Sequence, residues 1–457
     1  MEKIINSLNG KALRRFAAAL ILLSVLPSQA QEEPQSYSFS LNEAIQHAME
    51  YNYKVINSGR DIEAANKKKW ETIATGLPQI SASGNYQYNF ELQKSVVPAE
   101  FFGGNPGEFV EVAFGTKHSV DAKATLNQLI FDGTYIVGLK AARVYLDYYQ
   151  SSKQKTDIDV KEQVINAYGN VLLLEESVSI LEKNKETLEK NYHETNESFK
   201  NGLSEEEDVE QISITLATIN SSLKNSIRVR EISLNMLKII LGIELDDQLT
   251  LTDNLEDLTT ENLDITVAAE GFNVEQNIDY RLGQINTIQK ELLMKQEMSK
   301  ALPTLSTNLA FGYNGFNNNF DFFQRNQQWL NYSYLGLSLN VPIFSSLGRS
   351  ARTQQARIAL EQAKTQQEEL EQNLKLEYQR AKSEYEYSIE EYFTSKNNLK
   401  LAERIENKQQ IKFKEGLSSS FEFTEAQRQL YSAQQNFLES MTEVINKRAA
   451  LEKLTAQ

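Results

Sequence analysis

The chain has 457 residues, a formal net charge of −15 and no cysteine. The missing cysteines exclude a disulfide frame, a thiol nucleophile and a thiolate metal site, and the acidity argues against a nucleic-acid partner. Only seven prolines interrupt a sequence rich in Gln, Glu, Lys, Leu and Ala, which favours long helices over a compact mixed fold.

The first thirty residues stand apart. Lys3, Lys11, Arg14 and Arg15 precede an apolar run from Phe16 to Leu26, and Pro27-Ser28-Gln29-Ala30 follows with small residues at both specificity positions. This is the pattern of a secretory signal peptide cleaved after Ala30. The run is too short to cross a bilayer, and no later stretch reaches the ~18 apolar residues of a spanning helix. If the exported chain enters a membrane, it must do so as a β-barrel.

Leu41 to Gly76 reads as a first helix. Strict alternation follows in Ile80-Ser81-Ala82-Ser83-Gly84-Asn85-Tyr86-Gln87-Tyr88-Asn89-Phe90 and again in Val120-Asp121-Ala122-Lys123-Ala124-Thr125-Leu126-Asn127. One face carries Ile80, Ala82, Tyr86, Tyr88, Phe90, Val120, Ala122, Ala124 and Leu126; the other carries Ser, Asn, Gln, Thr, Asp121 and Lys123. A charged inner face, an apolar outer face and aromatics gathered at one end match a transmembrane barrel wall with its girdle. The connecting stretch Gln93 to Lys117 reads as a loop. Its glycines, around Phe101-Phe102-Gly103-Gly104, lack the strand-to-helix context of a phosphate site.

A long helix from Tyr135 to Phe199 comes next, striped by Val160, Val164, Ala167, Val171, Leu174, Val178, Leu181, Leu188 and Tyr192 at coiled-coil spacing. It would run ~100 Å at 1.5 Å per residue. Gly202 reverses the chain into a helix from Ser204 to Leu241, with Ser204 and Glu207 at capping-box spacing. The two shorter helices together span ~110 Å, so one long helix can lie beside two stacked short ones. Such a thin layer needs neighbours on both sides. Leu245 to Asn277, rich in Asp, Asn and Thr, reads as a surface linker or small side domain.

Then the pattern begins again. Gly76-Leu77-Pro78-Gln79-Ile80 matches Ala301-Leu302-Pro303-Thr304-Leu305; Leu126-Asn127-Gln128-Leu129-Ile130-Phe131 matches Leu339-Asn340-Val341-Pro342-Ile343-Phe344; Phe199-Lys200-Asn201-Gly202-Leu203-Ser204 matches Phe413-Lys414-Glu415-Gly416-Leu417-Ser418. The second pair of strands shows Leu305, Thr307, Leu309, Phe311 and Tyr313, then Leu335, Leu337, Leu339 and Val341, while Tyr332 and Tyr334 fall on the opposite parity. Asn317 to Gln328 is the loop between them. The long helix from about Ser346 to Phe413 has its own stripe, including Leu360, Ala363, Leu374, Tyr385, Ile389 and Tyr392, and Ser419 with Glu422 offers a second capping box.

The expected organisation is a signal peptide at 1–30, a first repeat at 31–244 with its β-hairpin at 79–128, a linker at 245–277, and a second repeat at 278–457 with its hairpin at 304–342. The fold class is mainly α with a transmembrane β-barrel portion. Four strands cannot close a barrel, since the smallest in outer membranes have about eight, and open edges in lipid are forbidden. The barrel must be shared among copies, and the strand count alone allows a dimer, trimer or tetramer.

In order, spacing and duplication, these features resemble the TolC-like outer-membrane efflux proteins. The resemblance rests on Leu41-Asn42-Glu43-Ala44-Ile45-Gln46-His47-Ala48 opening the first helix, Gly76-Leu77-Pro78 before the first strand, and the two Phe-x-x-Gly-Leu-Ser turns. It implies a homotrimer whose copies build one barrel and one periplasmic helical tube. The tube would meet a periplasmic adaptor (membrane fusion) protein and an inner-membrane pump, in drug or metal efflux or in type I secretion of polypeptides. The barrel would contact outer-membrane lipid, cargo would pass unmodified, and no cofactor is implied. The resemblance assigns Gly202, Leu203, Ser204, Gly416, Leu417 and Ser418 to an adaptor-contacting tip. It assigns Glu422 and Glu425, with Asp208 as the first-half counterpart of Glu422, to a ring around the periplasmic aperture. Ser418 stands where the family's closing clasp uses an arginine; Lys412 and Lys414 are the nearby cations that could replace it. The acids also have an ordinary explanation, because negative charge suits the first turn of a helix.

Enzyme readings find little support. His47, His118 and His193 are scattered, with neither metal-ligand spacing nor the partners of a triad. A competing non-enzymatic reading, an exported trimeric coiled-coil adhesin, explains the helices and export but leaves the two alternating hairpins unexplained.

Overall fold

The computed structural model describes residues 35–264 and 271–456, so the signal-peptide expectation lies outside the described residues. A short strand β1 (Ser36–Phe39) leads into helix α1 (Leu41–Tyr51), closed at its start by a capping box between Ser40 and Glu43. The single helix expected over 41–76 is in fact two. Asn52 adopts an extended backbone and its side-chain oxygen caps α2 (Tyr53–Ala74) by accepting from the Lys54 and Val55 amides, while its Nδ2 donates to the Ile240 carbonyl at 2.6 Å. Asn and Asp compete with helical hydrogen bonds in this way, and a distant carbonyl rewards the break.

The first spanning strands are β2 (Gln79–Tyr88) and β5 (His118–Phe131). The stretch between them, expected as plain loop, holds a two-stranded ribbon of β3 (Lys94–Pro98) with β4 (Phe109–Ala113). Alternation is weak there, because Val96-Val97-Pro98 and Phe109-Val110 put apolar residues side by side. Helix α3 (Gly133–Lys200) is 68 residues long and α4 (Glu206–Leu241) returns beside it.

The described part of 245–277, expected as a surface linker or small side domain, holds regular structure. It carries β6 (Gln248–Leu251), parallel to β1, and helix α5 (Leu255–Glu261), and it buries Leu249, Leu255, Leu258 and Val274. The second half follows with α6 (Ile278–Ser299), β7 (Thr304–Asn317), β8 (Trp329–Asn340), the 67-residue α7 (Gly348–Lys414) and α8 (Ser420–Thr455).

The helices form a layer one helix thick. The stacked pair α2 and α4 lies against α3; α3 lies against the stacked pair α6 and α8; that pair lies against α7. Val160, Val164, Val171 and Leu188 of the first stripe and Leu360, Leu374, Tyr385, Ile389 and Tyr392 of the second are buried between them. The main core sits at mid-length, where α1, β6 and α5 close over α3, α7 and α8. Two tyrosines bolt this girdle to the helices: Tyr168 donates to the Phe39 carbonyl at 3.0 Å and Tyr385 to the Asn262 carbonyl at 2.6 Å. Gly242, at φ +77°, ends α4 against the α1–α2 junction, where a Cβ would lie 2.2 Å from the Tyr51 carbonyl oxygen.

Both outer edges of the layer remain apolar. Ile214, Ile232, Met236 and Ile239 are exposed on α4; Ile358, Leu376, Tyr387, Phe393, Ile405 and Ile411 are exposed on α7. Among the described residues no helix is long and apolar enough to cross a membrane.

Candidate functional site

The sheet joins both halves. Its order is β2-β5-β7-β8, antiparallel throughout, so the first hairpin pairs with the second through β5 and β7 and both edges stay open. The register sorts side chains by face, since directly opposed residues point the same way. Ile80, Leu126, Leu309 and Leu335 form one cross-strand line, and Tyr86, Val120, Gly315 and Trp329 another. On this face Ile80, Leu335, Leu337 and Leu339 are 65–76% exposed, an arrangement that is stable only if something apolar covers it.

The opposite face is polar. Ser81 and Thr125 hydroxyls lie 2.9 Å apart, and Asn308 donates to Asn127 at 2.6 Å. Tyr332 and Tyr334, whose parity looked anomalous, belong to this face, because they pair with Gly312 and Ala310. Gly312 makes the arrangement possible. A Cβ there would lie 2.6 Å from the Tyr332 ring, so its absence lets the ring cross β7 and donate its hydroxyl to Asp121 on β5 at 2.9 Å. The sequence held this contact as an odd-parity tyrosine opposite a strand glycine, a signal legible only once the register is known.

At the far end of the helices the two turns lie side by side. Gly202 and Gly416 sit at φ +74° and +70°. In each turn the following leucine closes a six-residue loop: Leu203 N–H donates to the Ser198 carbonyl at 2.9 Å and Leu417 N–H to the Lys412 carbonyl at 2.8 Å. This is a Schellman ending, which asks for glycine at the left-handed position. Hydrophobic residues at the position after the glycine usually pack back on the helix, yet Leu203 and Leu417 are 82% and 76% exposed. A cleft of about 590 Å³ opens between the turns, lined among others by Leu203, Ser204, Asp208, Lys414, Gly416 and Ser418. Lys414 bridges it to Glu194 of the first hairpin at 3.4 Å.

The acids at the tip each have their own partners. The expected box of Ser204 with Glu207 is displaced by one residue: Glu205 caps α4 and Asp208 closes the box. Burial works against the Asp208 charge, but hydrogen bonds from Ser420, Ser204 and the Glu205 amide hold its carboxyl below the usual range. Ser420 belongs to the second hairpin, and its hydroxyl donates to Gln211 Oε1 on α4 at 3.2 Å, which ties the two turns together. Ser419 and Glu422 form the second box as expected, and Ser418 also donates to Glu422 at 2.8 Å. Glu422 is lowered first by Ser418, then by the Ser419 amide. Glu425 is lowered by Arg428, which donates from Nε at 2.9 Å and from a terminal nitrogen at 2.8 Å. Within one chain, then, neighbours favour the charged form of all three carboxylates. Arg428 was legible as a cation three residues after Glu425 on a helix.

Among the described residues no group of three or more His, Asp or Glu side chains could hold a metal. His47 stacks on Tyr51 at 4.4 Å and His118 packs against Tyr88 at 4.7 Å.

The sequence model of the family described as "Outer membrane efflux protein" matches residues 293–457. No curated protein matches the sequence. Among solved structures, the fold is similar to that of CusC, with a TM-score of 0.73 at 15% identity over 93% of this chain and 95% of that one. It is similar to the Campylobacter jejuni CmeC outer membrane channel, at TM-score 0.70 and 15% identity over 93% and 90%. The open state of the Neisseria gonorrhoeae MtrE outer membrane channel matches at 0.70 and 16% identity over 91% and 88%.

Proposed function

From the match of residues 293–457 to the outer membrane efflux protein family and the fold shared with outer-membrane channels, we propose that the chain is a member of that family and that three copies of it build one exit duct, reached in the periplasm by an adaptor and fed by an inner-membrane pump. The observation that carries the reading is the four-stranded sheet, polar on one face and apolar on the other, with both edges unpaired. Unpaired strand edges cannot stand in lipid. A ring of copies pairs β8 of each with β2 of the next and at the same time covers the apolar flanks of α4 and α7. Cargo passes along the polar face and the inside of the helical tube without being chemically changed. The exposed leucines of the two turns, with Gly202, Ser204, Gly416 and Ser418 around them, form the adaptor contact. Glu422, Glu425 and Asp208 surround the periplasmic aperture.

The internal repeat supplies the register of the joint between copies. Thr125 on β5 pairs with Ala310 on β7, and the matching positions in the other halves are Ser338 on β8 and Asn85 on β2. Ser338 of one copy therefore faces Asn85 of the next, on the polar side. Since the natural chain has no cysteine, Ser338→Cys with Asn85→Cys should give an oxidised ladder ending at three copies, and native mass spectrometry in detergent should show the same number. A stable detergent-solubilised monomer containing all the strands would sink the proposal.

A further inference from the structure

The loop between β7 and β8 does not project beyond the sheet. It folds back over the apolar face. Phe322 sits across the line of Tyr86, Val120, Gly315 and Trp329: its ring centre is 6.4 Å from Tyr86 and 6.2 Å from Trp329, and a Cβ on Gly315 would come within 3.3 Å of it. Phe322 is 6% exposed as a result. Phe320 meets Tyr86 edge-on at 5.5 Å and His118 at 6.2 Å, and His118 pairs with Tyr88 on this same face. Two polar ties hold the fold-back: the Lys117 amide donates to Asn318 Oδ1 at 3.3 Å, and Asn317 Nδ2 donates to Gln327 Oε1 at 3.1 Å. With Phe322 buried as the anchor, Phe320 and its neighbour Phe323, 6.2 Å away, are left 56% and 93% exposed.

We propose that residues 318–328 are a lipid-binding foot, which sets Phe320 and Phe323 into the interfacial layer of the membrane around the barrel, and are not a cover over the pore. The occupant is lipid because the cluster is continuous with the wall of Leu335, Leu337 and Leu339. Aromatic rings are favoured where hydrocarbon meets headgroups. Rings this exposed in water would cost free energy with no partner to offset it. The proposal rests on the barrel reading above, and the test separates the two.

The chain has two tryptophans, Trp70 and Trp329, so Trp70→Phe with Trp329→Phe leaves none. Onto this background single tryptophans are placed as Phe323→Trp, Phe320→Trp and, on the middle of the wall, Leu337→Trp. Each is reconstituted as the assembled protein in phosphatidylcholine vesicles with or without bromine on the acyl chains. The two loop variants should lose emission to bromine placed near the headgroups, and resist iodide, relative to N-acetyl-tryptophanamide in water. Leu337→Trp should lose most emission to bromine placed deep in the chains. If Leu337→Trp behaves so while both loop variants respond to iodide like the free indole, the foot is wrong and the barrel stands. If Leu337→Trp also escapes bromine, the wall is not in lipid and both readings fall.

Discussion

Gly202 and Gly416 are the residues whose replacement has the clearest consequence. Both lie in the left-handed region, where a side chain adds about 1–2 kcal/mol of strain. Neither meets a neighbouring atom within 4 Å of an added Cβ, so the effect would be conformational and local. Gly202→Val and Gly416→Val should leave assembly in the membrane intact, speed amide exchange in the last turns of α3 and α7, and abolish efflux in a susceptibility assay. Undiminished export by both single variants would remove the turns from the adaptor contact. The acids behave differently. Asp208, Glu422 and Glu425 are all held below the ordinary carboxylate range, so they favour the folded tip at neutral pH. That contribution persists above the unfolded carboxylate pKa and disappears as pH falls through the lowered values. Amide protection in the first turn of α8 should therefore drop on acidification, and the drop should shrink in Glu422→Gln. If these carboxylates also ring an aperture, Glu422→Gln with Glu425→Gln should reduce cation selectivity and divalent block in planar bilayers. Equal selectivity in wild type and variant would leave the acids with a capping role only.

At the scale of elements, the break at Asn52 shows how one side chain sets the course of a helix. Its Oδ1 caps α2 and its buried Nδ2 reaches α4, so it joins the helix pair to the girdle. Asn52→Ala should cost about 1 kcal/mol from the cap, plus the cost of leaving the Ile240 carbonyl unpaired. Thermal unfolding in detergent should show the loss; Asn52→Asp, which keeps the cap and cannot donate to the carbonyl, should recover only part of it. Full stability of Asn52→Ala would mean that the interruption is imposed by packing of Gly242 against Tyr51 instead. The sheet depends on a comparable detail. Gly312 is a strand glycine of the kind that marks a close approach, and what approaches is the Tyr332 ring on its way to Asp121. Gly312→Val should displace that ring and lower the temperature at which the assembled barrel resists sodium dodecyl sulfate, with Tyr332→Phe giving a smaller shift. Identical heat resistance in both variants and wild type would show that the polar face does not need this brace.

The whole molecule is half-finished by itself. Apolar side chains line both edges of the helical layer, the sheet has two free strand edges, and the leucines of its apolar face are exposed. The proposed ring of identical copies around the polar face would repair each deficit by the same operation. Closed rings are the usual way for a heterologous surface to avoid open-ended growth. If three copies close the barrel as proposed, Leu339→Pro, which removes a backbone donor from strand β8, should leave most secondary structure intact while converting the trimer into species that aggregate without detergent. Trimers of normal yield would place the joint elsewhere.

Much of this was legible in the chain itself. Period-two alternation marked the strands because one face of the sheet is apolar and the other polar, and three-four spacing marked the long helices because each buries a narrow stripe. The duplication exposed the plan twice over, and the glycines of the turns announced a backbone that other residues adopt only with strain. Tertiary structure decided the rest. Asn52 interrupts a helix because Ile240 happens to lie opposite; residues 248–261 join the girdle because β1 offers β6 an edge; Asp208 rather than Glu207 closes its box because Glu205, one residue after Ser204, takes the N-cap position. The tyrosines of β8 look out of phase until the register sets them over Gly312 and Ala310, and the three phenylalanines of the otherwise polar loop at 318–328 gain a direction only when Gly315 leaves room for Phe322. Periodicity reports which solvent a side chain faces; which particular neighbour it meets is fixed by distances between segments far apart in the chain.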